Sequence, residues 1–377
     1  MVDQNDFFNK QVASRDVTGY FLVKNGEFAY NKSYSNGYPW GAIKRLDKYD
    51  MGVLSTLYIV FRPTKINSQF LVSYYDTTRW YREVSKNAAE GARNHGLLNI
   101  APTDFFNTLL VVPKIVDEQQ KIGSFFKQLD DTITLHQRKL AKLKELKQGY
   151  LQKLFPRNGS KFPQLRFAGF ADAWEQRKLS DIATLNARIG WQNLRTSEFL
   201  ESGDYMLITG TNFHDGTVDY STVHYVEKNR YEQDTKIQVE NGSILITKDG
   251  TLGKVALVQG LNMPATLNAG VFNVKIKDPE TIDVDYVYQY LAAPFLMKYA
   301  NAKSTGGTIK HLNQNILIDF PVLLPRKREQ VKLAELLNGL DNTITLHQRK
   351  LEKLQELKKG IYKRCFAELN LIKFRIL

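Results

Sequence analysis

Cysteine is almost absent from this chain of 377 residues, because Cys365 is its single example. One thiol excludes a disulfide within the chain and a metal cluster held by thiolates. No apolar run approaches the ~20 residues that a membrane-spanning helix needs. The opening residues Met1–Asp6 also lack the basic and then apolar pattern of a secretion signal. The sequence therefore predicts a cytoplasmic protein with no membrane contact.

Motifs for catalysis are missing as well. There is no Asn/Asp-Pro-Pro-aromatic motif to hold a flipped adenine, and no Gly-rich loop suited to S-adenosylmethionine. Gly250–Lys254 is too short for a phosphate loop, and Val255 stands where Ser or Thr is required. The six histidines show no metal-ligand spacing. We therefore predict a chain that carries no catalytic site, no metal and no cofactor of its own.

Positive charge, by contrast, is in excess. Lys and Arg number 52 against 39 Asp and Glu, which gives a formal net charge of +13. Such a balance favours a polyanionic partner, with nucleic acid the leading one. An ordinary soluble protein with a basic surface is the alternative at this point. The 43% of hydrophobic residues is enough for two or three domains with cores of their own.

A long repeat organises the chain. Leu129–Phe155 reads LDDTITLHQRKLAKLKELKQGYLQKLF, and Leu340–Phe366, 211 positions later, reads LDNTITLHQRKLEKLQELKKGIYKRCF. Two copies so far apart indicate a duplicated module rather than a solenoid. Both copies are rich in Leu, Lys, Glu and Gln and contain no Pro, which favours a helix.

Each predicted helix has apolar residues at alternating steps of four and three, the pattern of a coiled coil. The seam is interrupted at equivalent places, by His136 and Lys147 and by His347 and Lys358. Polar seam residues can fix register, and a metal held by the two histidines is the less favoured alternative. If the helices pair antiparallel, the segments between them lie at opposite ends of a rod, related by an approximate two-fold axis. The residues that we expect to pair the helices are Ile133, Leu140, Leu143, Ile344, Leu351 and Leu354.

Residues 164–325 have the mixed pattern of a compact α+β domain. Its predicted helix is Asp285–Leu296, and a Gly-rich turn that carries Lys248 and Lys254 joins the first two of its predicted strands. The predicted strands are Ser243–Thr247, Lys254–Val258, Gly270–Ile276 and Ile316–Leu324.

Residues 1–113 repeat this plan in part. Val23–Lys32 aligns with Val239–Lys248 at an offset of 216, and Asp104–Pro113 resembles Asn315–Pro325. However, only 24 residues precede Asn25, far fewer than stand before the equivalent position in the second segment. We therefore expect the first globular segment to lack its front.

Nearly the whole chain resembles the specificity subunits of bacterial type I restriction-modification enzymes. Each repeated helix begins near a Glu-Gln pair that follows a Pro-terminated strand, at Glu118 and at Glu329, like the conserved regions of that family. Leu154–Gly159 and Pro163–Leu179 resemble the entry into the second target-recognition domain. Ile246–Lys254 resembles the core of such a domain.

The resemblance implies an α+β fold with two globular target-recognition domains separated by two long antiparallel coiled-coil helices, in pseudo-two-fold arrangement. The expected divisions are a first target-recognition domain (1–113, truncated at its N-terminus), a first spacer helix and linker (114–160), a second target-recognition domain (161–325) and a second spacer helix and tail (326–377). An antiparallel second helix should bring the unassigned tail near the first domain.

The resemblance also implies function and partners. Each recognition domain would read one half of a bipartite site on double-stranded DNA, and the helices would fix the spacing. Two modification subunits would dock and methylate adenine N6 with S-adenosylmethionine, and two restriction subunits would use ATP and Mg to translocate and cut DNA. These cofactors are expected on the partner subunits.

Sequence reading requires polar side chains at base edges and basic side chains at phosphates. The candidate DNA-binding residues are, in the first domain, Lys32, Tyr34, Arg79, Arg82 and Arg93, and, in the second, Arg188, Asn193, Arg195, Lys248, Thr251, Lys254, Lys303 and Lys310. Two alternatives remain open. One is a truncated or silent specificity cassette that assembles but reads one half-site, and the other is a coiled-coil scaffold with no role in DNA binding.

Overall fold

The computed structural model describes residues 1, 16–33, 36–88, 98–157, 159–303, 311–365 and 371–375. Its helices, in chain order, are α1 Ser68–Tyr75, α2 Tyr81–Asn87, α3 Pro102–Phe106, α4 Val116–Lys153, α5 Leu179–Ile182, α6 Lys228–Glu232, α7 Val284–Ala292, α8 Phe295–Lys303, α9 Gln314–Ile318 and α10 Lys327–Cys365. Its strands are β1 Phe21–Lys24, β2 Phe28–Asn31, β3 Ala42–Arg45, β4 Met51–Leu54, β5 Tyr58–Phe61, β6 Leu109–Pro113, β7 Glu175–Lys178, β8 Ala183–Ala187, β9 Met206–Ile208, β10 Phe213–His214, β11 Thr217–Val218, β12 His224–Tyr225, β13 Gln238–Val239, β14 Ile244–Thr247, β15 Val255–Leu257, β16 Ala265–Leu267, β17 Val271–Ile276, β18 Pro321–Leu324 and β19 Leu371–Arg375.

The chain divides into two compact units. The first unit comprises residues 1–138 and 349–377, and the second comprises residues 139–348. The long helices α4 and α10, of 38 and 39 residues, contribute to both units. This confirms that both copies of the repeat are helical. No helix in the described part of the chain is both long and apolar enough to cross a membrane.

Ion pairs show how the two long helices run within each unit. In the second unit, the Nζ atom of Lys147 on α4 lies 2.6 Å from Oδ1 of Asp341 on α10. In the first unit, Lys358 on α10 pairs with Asp130 on α4. These two pairs are the same interaction made twice, because each residue has its counterpart 211 positions away in the other copy. The helices are therefore antiparallel in both units, as the sequence predicted.

The seam between the helices is apolar around these pairs. In the first unit, Ile133 is buried and the ring of Phe126 stacks on that of Tyr362 with centroids 4.1 Å apart. In the second unit, Leu140 is buried and Leu143 is half-buried. The other three residues that were predicted to pair the helices are half-buried, namely Ile344, Leu351 and Leu354.

The second unit is built on two large sheets, besides the two-stranded pair of β7 and β18. Its six-stranded sheet has the order β10-β11-β15-β14-β17-β8, and its four-stranded sheet has the order β12-β9-β16-β13. Apolar side chains of α7, α8 and the end of α4 cover the first sheet and form one core with it. A second core lies between the two sheets, which leaves all side chains of β14 buried. This α+β unit thus has interior strands that are apolar on both faces.

The first unit repeats part of this plan. Its three-stranded sheet β3-β2-β5 corresponds to β15-β14-β17, and its pair β1-β4 corresponds to β13-β16. Gly26 and Gly242 both have positive φ before the equivalent strands β2 and β14, as the alignment of these segments predicted. Within the described residues, the first unit has no counterparts of β8 to β12. In the described residues, the main sheet of the first unit is therefore smaller than its counterpart in the second unit.

The start of each long helix is tied to its own unit by a buried glutamine. Gln119 donates from Nε2 to the carbonyl of Pro113 and accepts at Oε1 from the backbone N–H of Asn67. Gln330 makes the same two bonds, to the carbonyl of Pro325 and from the N–H of Asp283. Asn67 and Asp283 are the N-caps of the equivalent helices α1 and α7. One side chain therefore fixes a helix start, a strand end and a second helix.

The structure differs from one sequence-based prediction and agrees with another. The strand predicted at Ile316–Leu324 is wrong in its first half, because Gln314–Ile318 forms α9 and only Pro321–Leu324 is extended. The tail does lie with the first domain, since β19 pairs antiparallel with β6. There it takes the place that β7 takes beside β18 in the second unit.

The seam can be tested by introducing a charge. Leu140→Asp should lower the free energy of unfolding by about 2–4 kcal/mol, because a carboxylate replaces a side chain that is 8% exposed. Leu146→Asp makes the same change on the same helix at a side chain that is 45% exposed, and should shift stability by less than about 0.5 kcal/mol. Urea unfolding of both variants measures the difference. Equal losses of stability in the two variants would contradict the assignment of Leu140 to the seam.

Candidate nucleic-acid interface

Several candidate residues leave the six-stranded sheet at the same end. The register pairs Thr247 with Val271, and Phe272 with Ala187, so the end of β14, the start of β17 and the end of β8 lie side by side. The segments 188–195 and 248–254 both emerge there. The candidates Asn193, Arg195, Lys248, Thr251 and Lys254 are therefore brought to one edge of the second unit.

The turn between β14 and β15 is held by the side chain of Thr247, which is completely buried. Its Oγ1 donates to the carbonyl of Thr251 and accepts, at 2.9 Å, from the backbone N–H of Lys254. The backbone N–H of Gly253 donates to the Thr247 carbonyl, also at 2.9 Å. The turn is thus cross-linked to the strand that precedes it, and this confirms the predicted strand-turn-strand arrangement.

Gly253 is the position where the turn most needs a glycine. Its φ is +72°, and a Cβ atom built there would lie 2.2 Å from the sulfur of Met297 on α8. A side chain at this position would be strained, and the side chain of Met297 would have to move to accommodate it. The base of the turn therefore packs against α8, whereas its tip, Asp249–Thr251, is exposed.

The basic side chains of the turn have different environments. Lys254 is exposed, and so is Thr251. Lys248 is half-buried, with its Nζ atom 5.6 Å from the centre of the Phe272 ring. Lys254 is therefore free to reach a ligand outside the turn, while the stem of Lys248 lies over the sheet edge.

A neighbouring segment is fastened to the same turn in both units. In the second unit, the N–H of Leu312 donates to the carbonyl of Lys248 at 3.1 Å, and in the first unit the N–H of Leu98 donates to the carbonyl of Lys32 at 3.0 Å. Lys32 and Lys248 are equivalent in the alignment of the two units. Lys32 therefore occupies the same place in its unit as Lys248 does.

Arg188 is not a surface contact, and this candidate is corrected. The residue is 2% exposed, and its guanidinium donates to the carbonyl of Leu267 at 2.9 Å and to Oγ1 of Thr266 at 3.2 Å. Burial, with a smaller contribution from the nearby positive charge of Arg230, lowers the pKa of Arg188 from its usual value. Arg188 therefore holds the segment 188–195 against β16 rather than facing a ligand.

A second arginine holds the backbone of the same segment. Arg230 on α6 forms an ion pair with Glu198 at 2.9 Å and donates to the carbonyl of Asn193 at 3.1 Å. The side chains of Asn193 and Arg195 remain exposed. Sequence reasoning missed Arg230, whose role depends on contacts with residues more than 30 positions away.

Other candidates are less clearly grouped. Arg79 and Arg82 are exposed around the start of α2 in the first unit. Lys303 ends α8, where its Nζ atom lies 5.6 Å from the centre of the Tyr299 ring. Three candidates, Tyr34, Arg93 and Lys310, lie outside the described residues.

Asp249 at the tip of the turn and His311 beside it are exposed, and neither was among the candidates. Nδ1 of His311 lies 2.5 Å from Oδ1 of Asp249, and both side chains face solvent. The sequence carried no signal for this pair, because 62 positions separate the two residues. Among the described residues, no group of three or more His, Cys, Asp or Glu side chains is arranged to hold a metal ion.

Comparison with known proteins identifies one family. Residues 12–145 and 171–356 match the model of the type I restriction modification DNA specificity domain. The MjaVIII specificity subunit of Methanocaldococcus jannaschii is 22% identical over 274 residues, which cover 71% of this chain and 63% of that protein. The EcoR124I/EcoR124II specificity subunit of Escherichia coli is 27% identical over 42% of each chain. The chain thus spans less than two thirds of the length of these relatives.

Solved structures agree in fold. The S subunit of a type I restriction-modification system from M. genitalium superposes with a TM-score of 0.58 at 16% identity, over 92% of this chain and 84% of that one. A structure from a study of assembly and conformational transition in a type I system gives 0.52 at 15% identity, over 94% of this chain and 85% of that one. At such identities, the likeness is one of fold alone.

The turn can be tested without any ligand. Thr247→Val should lower the free energy of unfolding by about 1–3 kcal/mol, because two hydrogen bonds of the Thr247 hydroxyl are lost and the N–H of Lys254 keeps only its 3.3 Å bond to the carbonyl of Thr251. Hydrogen exchange at the Lys254 amide should also become faster. Thr251→Val, at an exposed position of the same turn, is the matched control and should have little effect. Wild-type exchange at Lys254 in the Thr247 variant would contradict this account.

Proposed function

The chain belongs to the family of type I restriction-modification DNA specificity proteins, and from that premise we propose that it is the subunit that reads the DNA sequence in such a complex. The observation that carries the proposal is the cross-linked turn after β14, which presents Lys254 and Thr251 beside the exposed segment Asn193–Arg195. A rigid, basic and polar edge of this kind suits a DNA groove, because base edges and phosphates must be met at the same time.

The duplicated architecture supports a bipartite target. Both units present a loop after the equivalent strands β2 and β14, and in both a second segment is bonded to that loop. Two copies of one recognition plan on antiparallel helices match a DNA site in two parts, with the helices as the spacer between them. DNA sequence would thus be read twice by related surfaces.

The long helices supply surfaces for the proposed protein partners. Four leucines point away from the seam on the long helices and are exposed at positions that the repeat makes equivalent, namely Leu135 and Leu146 on α4, and Leu346 and Leu357 on α10. Exposed apolar side chains in a repeated pattern are typical of protein contacts. We propose that the pair on α4, Leu135 and Leu146, receives one modification subunit and that the pair on α10, Leu346 and Leu357, receives another, so that two modification subunits bind. Two restriction subunits complete the complex.

The chemistry is assigned to those partners. The modification subunits would use S-adenosylmethionine to methylate adenine N6, and the restriction subunits would use ATP and Mg to move and cut DNA. The present chain would contribute DNA affinity, sequence selection and the geometry of assembly, without a catalytic step of its own.

One observation favours a narrower second function. In the second unit, β9 covers the edge of β16, whereas the described part of the first unit has no strand on the equivalent edge of β4. Met51 and Val53 of β4 are exposed. A chain that assembles normally but reads only the half-site of its second unit is therefore the alternative proposal.

Lys254→Ala tests the reading surface. If Lys254 contacts a phosphate, the assembled methyltransferase should bind cognate and scrambled duplexes about equally less well, and the slope of log affinity against log salt should fall by about one unit. Lys277→Ala is the control, because Lys277 follows β17 at the opposite end of the same sheet. It should leave both quantities unchanged.

The Lys254 experiment also separates the alternatives. Unchanged affinity and slope would mean that the turn faces away from DNA, and the interface would have to be sought at Asn193–Arg195 or Lys303–Lys310. Absence of any salt-dependent DNA binding by the wild-type complex would instead favour a coiled-coil scaffold with no DNA role.

A paired deletion tests the spacer. Removing His136–Lys142 together with His347–Lys353 takes one heptad from each helix and leaves the four exposed leucines and the residues of both ion pairs in place. Each helix becomes about 10 Å shorter, which corresponds to about three base pairs. Methylation mapping should show a spacer shorter by about three base pairs between unchanged half-sites.

Two other results of the methylation mapping would count against this prediction. An unchanged spacer would show that the helices do not set the distance. A motif that consists of a single half-site, in wild type and deletion variant alike, would favour the narrower function. Deleting His136–Lys142 alone puts α4 and α10 out of register, and should abolish assembly.

A further inference from the structure

The turn after β14 contains a carboxylate that phosphate binding does not explain. Asp249 follows Lys248 at the exposed tip of the turn, and its side chain is 45% exposed. A carboxylate that faces the DNA backbone is repelled by every phosphate nearby. Its presence beside lysines that are proposed to contact DNA therefore calls for a different ligand.

Asp249 is held in one direction by His311. The His311 Nδ1 atom lies 2.5 Å from Oδ1 of Asp249, although the imidazole itself is 71% exposed. The residues next to this pair are also tied together, because the N–H of Leu312 donates to the carbonyl of Lys248. With Oδ1 engaged by the imidazole, the second carboxylate oxygen, Oδ2, is left for a partner outside the protein.

The chemistry of base edges identifies that partner. In the major groove, a carboxylate is the natural acceptor for the exocyclic N4 amino group of cytosine, whereas guanine and thymine present acceptors that repel it. Adenine also has an amino group there, but its N7 acceptor lies next to that group and repels a carboxylate. An acceptor oriented by a second side chain discriminates between bases better than a freely rotating one.

We propose that Asp249, oriented by His311, accepts a hydrogen bond from the N4 amino group of a cytosine in the half-site that the second unit reads. The inference rests on the proposed function and assigns it a specificity-determining residue. His311 is a positioning residue in this arrangement, since it acts on the base through Asp249.

Asp249→Asn in the assembled methyltransferase is the principal test. One C·G position of the methylation motif should relax, and discrimination between cognate duplex and a duplex changed at that position should fall by about 5- to 150-fold. Binding to scrambled duplexes should become tighter, because a negative charge leaves the interface. Loss of a phosphate contact, as expected for Lys254→Ala, has the opposite effect on scrambled DNA.

Control variants separate charge, folding and position. Glu280→Gln makes the same change in charge beyond the far end of β17, where the side chain is exposed, and should leave the motif intact. His311→Gln keeps an N–H donor for Asp249 and should retain most of the discrimination, whereas His311→Ala should lose it in part. A purely structural role of His311 would move thermal stability without this difference in the motif.

The outcomes distinguish this inference from the proposal beneath it. If the wild-type complex does not prefer any duplex, the proposed function itself fails. If the wild-type complex discriminates and Asp249→Asn has the same motif and the same preference, the assignment of Asp249 is overturned while the proposed function stands. Relaxation at a position other than C·G would overturn the assignment to cytosine.

Discussion

The rest of this structure depends on an ion pair that is made twice. A helix that pairs antiparallel with its own duplicate must repeat every contact, and here Lys147 meets Asp341 while Lys358 meets Asp130. Both lysines are largely buried by the neighbouring helix, so a shift in register would leave their charges without carboxylates in an apolar seam. The interaction adds little to stability by itself, but it selects one register among the several that a heptad pattern permits.

In each unit, one buried amide side chain connects the long helix to the globular part. Gln119 and Gln330 stand near the starts of α4 and α10, and each bonds a strand end and the N-cap of a domain helix. In the second unit the contact is extended, because Gln289 on α7 donates to Asp341 at 2.8 Å. The residue that fixes helix register therefore also contacts the recognition domain. If α4 or α10 moved while the globular domain stayed in place, these hydrogen bonds would have to break.

The sequence predicted the parts of this arrangement that depend on local pattern or repetition. The two helices, their antiparallel pairing and the turn after β14 follow from periodicity, glycine placement and alignment of the chain with itself. The sequence did not predict contacts between distant positions. Arg188 was among the candidate DNA contacts because arginine can bond base edges and phosphates, yet its guanidinium turns inward to bond Leu267 and Thr266. The pairing of Asp249 with His311 joins two loops and likewise has no local signal.

The two units differ in how completely the edges of their sheets are paired with other strands. The tail strand β19 closes the edge of β6 as β7 closes that of β18, so this sheet edge is paired in both units. The edge of β4 has no such partner in the described part of the chain, and Phe21, Leu22, Met51 and Val53 present apolar side chains around it. Unpaired edges with apolar side chains are less rigid and prone to further association. Because base discrimination requires donors and acceptors held in place, the paired strands and the buried Thr247 of the second unit suit the proposed reading of DNA better than the open edge of β4 does.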